Sequence, residues 1–225
     1  VRVVLLSAEG DAFCSGANLK SVQHGLLAEG YAQSALARLL RRLTTFDKPL
    51  VAAVHGLAIG GGTTLLLHCD FVYAAEGTRF QMPFAKLGLV PEFGSSYLLP
   101  LSAGMRLASE LVLLGEPFDA ATALRAGLLT AVVPAEGLMA RARQTADALA
   151  QMAPGPMARS KRLLRQGHQG ALESTFAAEG QALQESVQSP ELAEAVSAFE
   201  LAADKRQSLK VQIAFGDAAT TLEPQ

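Results

Sequence analysis

The sequence has no tryptophan, only two cysteines, and charged residues at just 18% of its 225 positions. Each shortage removes a class of protein. Cys14 and Cys69 form no CxxC pair and show no ligand spacing with His24, His55, His68 or His168, so neither a disulfide scaffold nor a metal site is expected. A reducing, cytoplasmic compartment fits them best. Lys plus Arg number 19 against 21 for Asp plus Glu, a formal charge of -2, and no basic run exceeds a pair such as Arg41–Arg42. Such a chain has no field with which to hold nucleic acid.

What is present is apolar. Half of the residues are hydrophobic, enough for one large buried core rather than a disordered chain. Pro49 to Cys69 carries no Asp, Glu, Lys or Arg and is long enough to cross a bilayer. Its interior argues otherwise, because Gly60, Gly61 and Gly62 in succession, with His55 and Gly56 upstream, make a poor lipid-spanning helix. Strand, turn and buried helix explain the run, and no membrane partner is expected.

Val1–Ser7 and Leu50–Val54 read as buried strands, with an amphipathic helix over Tyr31–Phe46 between them carrying Leu36, Leu39, Leu40 and Leu43 on one side. Thr63–Cys69 reads as helix, and Asp70–Ala75 and Thr78–Met82 as strands, which implies α/β layers. From Ala103 onward the pattern is helical over Met105–Leu114, Asp119–Ala126, Glu136–Met152, Pro156–Arg165 and Ala171–Lys205. Gly115, Gly127 and a Pro154-Gly155-Pro156 break divide these helices, and Leu128–Val133 interrupts them as a strand. Gly216–Gln225 reads as a frayed tail.

Three features carry possible chemistry. The triple glycine between strand and helix offers free N–H groups to an oxyanion or phosphate, or else serves close helix–sheet packing. It is not a P-loop, since the position that needs Lys is Gly62. Phe13-Cys14-Ser15-Gly16-Ala17-Asn18-Leu19 is a second glycine turn, either a further inward N–H or a plain connection, and with Phe at position 13 it lacks the serine-hydrolase elbow. Glu92 stands among Val90, Pro91 and Phe93, an apolar setting that raises a carboxyl toward general-base values, unless it is a solvated acid in a proline turn.

Taken together, FCSGANL, KPLVAAVHGLAIGGG, CDFVYAAEGTRFQMPFAKLGLVPEFGSSYLLP and GEPFDAATALRAGLLTAVVP resemble the crotonase, or enoyl-CoA hydratase/isomerase, superfamily over Val1 to Phe199. The resemblance implies an α/β fold, a crotonase-like spiral of ββα units with a helical C-terminal region. Residues 1–133 would form the spiral core, 134–215 a helical trimerisation region and 216–225 a flexible tail. It also implies that the family's first hairpin and helix are missing ahead of Val1.

By the same resemblance the substrate is an acyl-CoA thioester, with coenzyme A part of the substrate and no separate cofactor. The expected assembly is a homotrimer or dimer of trimers, and the expected setting bacterial and cytoplasmic. Position by position, the backbone N–H groups of Ala17 and Gly61 fall on the oxyanion hole, where preorganised donors meet the charge that develops on the thioester oxygen. Ser15, Gly16, Leu19, Gly60, Thr64, Phe84 and Leu89 fall on the substrate pocket. Hydratases carry acids where this chain has Thr64 and Phe84, neither of which is a base. The run Pro83 to Ser96 instead resembles the peroxisomal-type 3-enoyl-CoA to 2-enoyl-CoA isomerases and their bacterial relatives, whose single catalytic glutamate falls on Glu92. The expected activity is therefore isomerisation. The alternatives are hydration or another crotonase reaction, and a non-catalytic acyl-CoA-binding module. A dehalogenase-like or hydrolase-like member is disfavoured because it uses Asp at this loop position.

Overall fold

The computed structural model describes residues 1–203, 211–215 and 218–221. The chain opens with β1 (Val4–Ala8), α1 (Leu19–Glu29), a 3-10 turn at Tyr31–Gln33 and α2 (Ala35–Thr45). It continues through β2 (Leu50–Val54), β3 (Leu57–Ile59) and α3 (Gly61–Thr64), which runs on as a 3-10 turn over Leu65–His68. Next come β4 (Phe71–Ala75), β5 (Arg79–Gln81), a 3-10 turn at Ala85–Leu87, α4 (Ser95–Ala103) and α5 (Met105–Ser109), the last continued by a π-helical turn. The remainder is β6 (Phe118–Asp119), α6 (Ala120–Arg125), β7 (Ala131–Val133), α7 (Leu138–Gln151), α8 (Pro154–Gln166), α9 (Gln169–Ser186), α10 (Pro190–Ala203), β8 (Val211–Phe215) and β9 (Ala218–Thr221).

The strands form two sheets, one ordered β7-β4-β2-β1-β8-β9 and a smaller one ordered β3-β5-β6. The units β2-β3-α3 and β4-β5-α4 each give one strand to each sheet and then a helix, the repeating ββα spiral. All five residues of β2 are buried, and Val51 to Val54 alternate between two cores. Ala52 and Val54 pack with Val72, Ala74, Phe80 and Phe118 toward the small sheet. Val51 and Ala53 face the other way, with Tyr73 and Ala75, against Leu138 and Ala142 of α7. A strand covered on both faces must be apolar at every position, hence the continuous run in its sequence. Each such valine contributes on the order of 1.5–3 kcal/mol by burial.

Several elements differ from the sequence reading. Helix α1 forms directly after the Gly16 turn, its N-terminus capped by the Asn18 side chain, which accepts from Ser21 N–H at 3.1 Å. Helix α4 carries Pro100 in its interior, a residue that ordinarily marks a helix end. Pro154 begins α8 rather than breaking the chain, because proline tolerates the first turn, where its missing N–H is not needed. Among the described residues the C-terminal region is not helical to residue 215: α10 is described to Ala203, and Val211–Phe215 and Ala218–Thr221 form an antiparallel pair that adds to β1. The tail expected over 216–225 is thus partly strand, and its residues 216, 217 and 222–225 lie outside the described residues.

Candidate active site

Three segments converge. After β1 the chain crosses to the small sheet, where Cys14 N–H donates to Leu57 O at 3.1 Å and Ile59 N–H returns a bond to Cys14 O at 2.9 Å. Gly16 then turns with φ +90°, and a Cβ there would sit 2.9 Å from Ile59 O and 3.9 Å from Gly61 N. Only glycine combines that dihedral with that approach. Ala17, the next residue, is exposed.

The second segment begins where Gly60 N–H donates to Gln81 O at 2.9 Å, the last rung of the β3–β5 pairing. Gly60 O then accepts from Thr63 and Thr64 N–H at 2.9 and 3.0 Å, which starts α3. Gly61 is the first residue of that helix, so its N–H has no carbonyl one turn back to bond. Gly62 packs so tightly on the first segment that a Cβ would lie 2.5 Å from Cys14 O.

The third segment is the turn at Glu92. This carboxyl is 7% exposed; its Oε1 accepts from Thr64 Oγ1–H at 2.6 Å, and its buried Oε2 has no partner. A Cβ on Gly61 would lie 3.6 Å from Oε1, so the carboxyl stands directly over the glycine turn. Burial pushes the Glu92 pKa from its ordinary 4.5 to about 8; the Thr64 hydrogen bond opposes the rise and the Glu179 charge adds to it.

The turn is held from both sides. Phe93 has φ 59° and is the one non-glycine residue with positive φ among the described residues, a strain of order 1–3 kcal/mol. Its carbonyl accepts from the buried His68 Nε2 at 2.6 Å. Burial, with Arg165 and Lys161 nearby, drops the His68 pKa to about 4 against the smaller opposing pull of that hydrogen bond, so the ring is neutral. On the other side the Glu179 carboxylate of α9 accepts from Gly94 N–H at 2.7 Å, Ser96 N–H at 3.0 Å and Ser96 Oγ at 2.6 Å. Two further buried hydroxyls, Tyr31 Oη and Ser95 Oγ, have no partner.

Of the residues singled out in sequence, Gly16, Gly60, Gly61, Thr64 and Glu92 form one contiguous group, and Ala17 follows Gly16 in the chain. Phe84 is buried in the core and Leu89 half-buried against it; Leu89 N–H donates to Phe84 O at 2.8 Å. Ser15 is exposed and Leu19 opens α1; they share the Gly16 turn but not the hydrogen-bonded group around Glu92. His55 is structural, bonded through Nε2 to Gly10 O at 2.9 Å. Sequence reasoning missed His68 and Glu179. Glu179 had a signal: it is an acid on the stripe formed by Leu172, Phe176, Gly180 and Leu183, at helical spacing. A lone histidine had none.

Two sheets deliver a glycine turn opposite the buried Glu92 carboxyl, in an α/β protein. The chain belongs to the enoyl-CoA hydratase/isomerase family, whose model matches residues 1–208. It is 35% identical to the 2,3-dehydroadipyl-CoA hydratase of Escherichia coli, over 88% of this chain and 78% of that protein. It is 32% identical to the short-chain-enoyl-CoA hydratase of Clostridium acetobutylicum, over 88% of this chain and 77% of that protein. Among solved structures, an enoyl-CoA hydratase/isomerase from Pseudoalteromonas atlantica superposes with a TM-score of 0.81 at 39% identity, covering 89% of this chain and 79% of that one. The fold is the α/β crotonase fold, with parallel strands and C-terminal helices, and the protein is an acyl-CoA enzyme of that family. The resemblance to the isomerase branch has no counterpart in these names, since both curated relatives are called hydratases.

Proposed function

We propose that the protein is a 3-enoyl-CoA to 2-enoyl-CoA isomerase. Glu92 removes a proton from the alpha carbon, the electron pair moves onto the thioester oxygen as an enolate, and the same carboxyl returns the proton at the gamma carbon. The double bond has then moved from C3–C4 to C2–C3, and nothing is gained or lost. The N–H groups of Ala17 and Gly61 hold the enolate oxygen, while Phe84 and Leu89 keep the acyl side dry. Ser15, Gly16, Leu19, Gly60 and Thr64 complete the substrate pocket.

One observation carries this reading. Of the two buried glutamates near the turn, Glu179 is occupied by three donors, whereas Glu92 stands over Gly61 through Oε1, which Thr64 bonds, and keeps its other oxygen, Oε2, free. A single available carboxyl suffices for a proton shuttle, and Thr64 and Phe84 supply no second acid for positioning water. With its pKa near 8, Glu92 gains its basic form as pH rises toward that value, and turnover rises with it.

The names of the curated relatives favour a second reading, hydration of a 2-enoyl-CoA. The test is to offer the purified protein a 3-enoyl-CoA and, separately, a 2-enoyl-CoA, and to follow the conjugated thioester absorbance and the 3-hydroxy product. Isomerisation is expected to dominate, and Glu92→Gln to lower it at least about a hundredfold with CoA affinity unchanged. Hydration at a comparable or higher rate, or a Glu92→Gln variant with most of its isomerase rate, overturns the proposal. A bacterial, cytoplasmic setting belongs to the same proposal, supported by the bacterial sources of the relatives and by two free cysteines. So does assembly as a homotrimer or dimer of trimers, which sedimentation velocity checks.

A further inference from the structure

The Glu92 carboxyl is presented by an unfavourable piece of backbone. Phe93, with φ 59°, directly follows it, and a residue with a side chain released from that conformation returns to negative φ, which re-aims the residue before it. One contact that opposes release on the Phe93 carbonyl itself is its hydrogen bond with His68, 2.6 Å long and buried, beside the Glu179 bonds to Gly94 and Ser96 and the Ser95 N–H bond to Glu92 O at 3.1 Å. A carbonyl only accepts, so His68 carries its proton on Nε2. His68 also ends the helical piece that begins at Gly61, since α3 and the 3-10 turn after it are continuous over Gly61–Thr64 and Leu65–His68. One short rigid element thus bears the glycine turn at one end and grips the Glu92 turn at the other.

That element is itself tied down. Arg165 Nη2 donates to His68 O at 2.8 Å and to Asp70 Oδ1 at 2.9 Å, while Lys161 bonds Asp70 Oδ2 at 2.5 Å. These two cations of α8 face His68 and favour its neutral ring. The titratable groups that face Glu92 are Cys14, Tyr31 and Glu179.

We propose that His68 is a positioning residue: its ring N–H holds the Phe93 carbonyl, and through it the left-handed turn that keeps the Glu92 carboxyl over Gly61. The inference rests on the reading of Glu92 as the proton-transferring group.

The experiment compares His68→Leu, which removes the donor, with His68→Gln, whose amide N–H reaches the same place, and includes Glu92→Gln in the same isomerase assay. His68→Leu is expected to lower kcat by about 10- to 100-fold with KM within about threefold, the loss that follows a displaced catalytic group. His68→Gln is expected to restore kcat to within about threefold of the unmodified protein. A His68→Leu variant with normal kcat, a change confined to KM, or a His68→Gln variant as slow as His68→Leu overturns the proposal. An active Glu92→Gln variant overturns the reading of Glu92 together with the inference, whereas an inactive one beside a fast His68→Leu overturns the inference alone. Nitrogen-15 NMR of the unmodified protein decides the matter even where a variant does not fold. A neutral Nε2–H tautomer with a slowly exchanging proton at pH 7 supports the proposal, and an Nδ1–H tautomer or an imidazolium overturns it.

Discussion

The glycine turn and the Glu92 turn face each other across the candidate site, yet they are held by opposite means. Gly60 to Thr64 is fixed by main chain: a strand rung to Gln81, a helix start on Gly60 O, and contact with Cys14 so close that no Cβ fits at Gly62. Glu92 to Ser96 is fixed largely by side chains remote in sequence, His68 on one flank and Glu179 on the other. Backbone fixation survives most side-chain changes but not an added atom. Side-chain fixation concentrates the whole geometry in two or three residues.

The sharpest test of this contrast is the pH dependence of stability at Glu92. Its folded pKa, about 8, lies above the ordinary 4.5, so the native state binds more protons than the unfolded state between those values. The stabilising contribution of the protonated carboxyl is complete below pH 4.5 and is lost as pH rises through 8. Glu92→Gln should therefore gain on the unmodified protein by up to about 1.4 kcal/mol per pH unit, roughly 4 kcal/mol at most from pH 5 to 8, in urea unfolding. A pH-independent difference would place the carboxyl in water.

Next in size is Glu179→Leu. It strands the buried Gly94 N–H, worth about 1–3 kcal/mol without an acceptor, and removes the bonds to the more exposed Ser96, so a loss of roughly 3 kcal/mol at most is expected by thermal denaturation. Turnover should fall about tenfold with it. Gly62→Ala attacks the other turn: its Cβ would meet Cys14 O at 2.5 Å and Cys14 Cβ at 2.7 Å, neither of which can rotate away. A destabilisation of about 2 kcal/mol is expected from overpacking, and normal stability would mean that the two turns are not held by that contact. Smallest is Thr64→Val, which costs about 1 kcal/mol or less. Because the Thr64 hydrogen bond lowers the Glu92 pKa, its removal should move the alkaline rise of turnover to higher pH. A downward shift would contradict the geometry.

The same contrast explains what was legible in sequence. The glycine turn was readable because main-chain fixation demands residue types that stand out, three glycines after an apolar strand. Glu92 was picked out by its apolar neighbours, which left a solvated acid in a proline turn open, and its expected role came from the family resemblance. Its supports were not, because a histidine that donates one hydrogen bond to a carbonyl leaves no pattern, and an acid on a helix reads as solvated unless the stripe around it is counted. The β8–β9 pair was missed for a related reason. The VQIAF run over 211–215 follows a long alanine-rich helical stretch, and five residues of alternation are a weak signal beside it.

The long reach of the Glu179 bonds also sets an order of events during synthesis. The glycine turn has its partner as soon as Gln81 has left the ribosome, whereas the acceptor for Gly94 lies 85 residues further along the chain. At about 5–20 residues per second, the second turn waits on the order of 5–20 s after the first can close. A nascent chain that stops short of α9 carries Glu92 and the triple glycine but lacks the acceptor that holds the Gly94–Ser96 flank of its turn. The geometry of the Glu92 turn is thus finished from the C-terminal side, once α9 has been made.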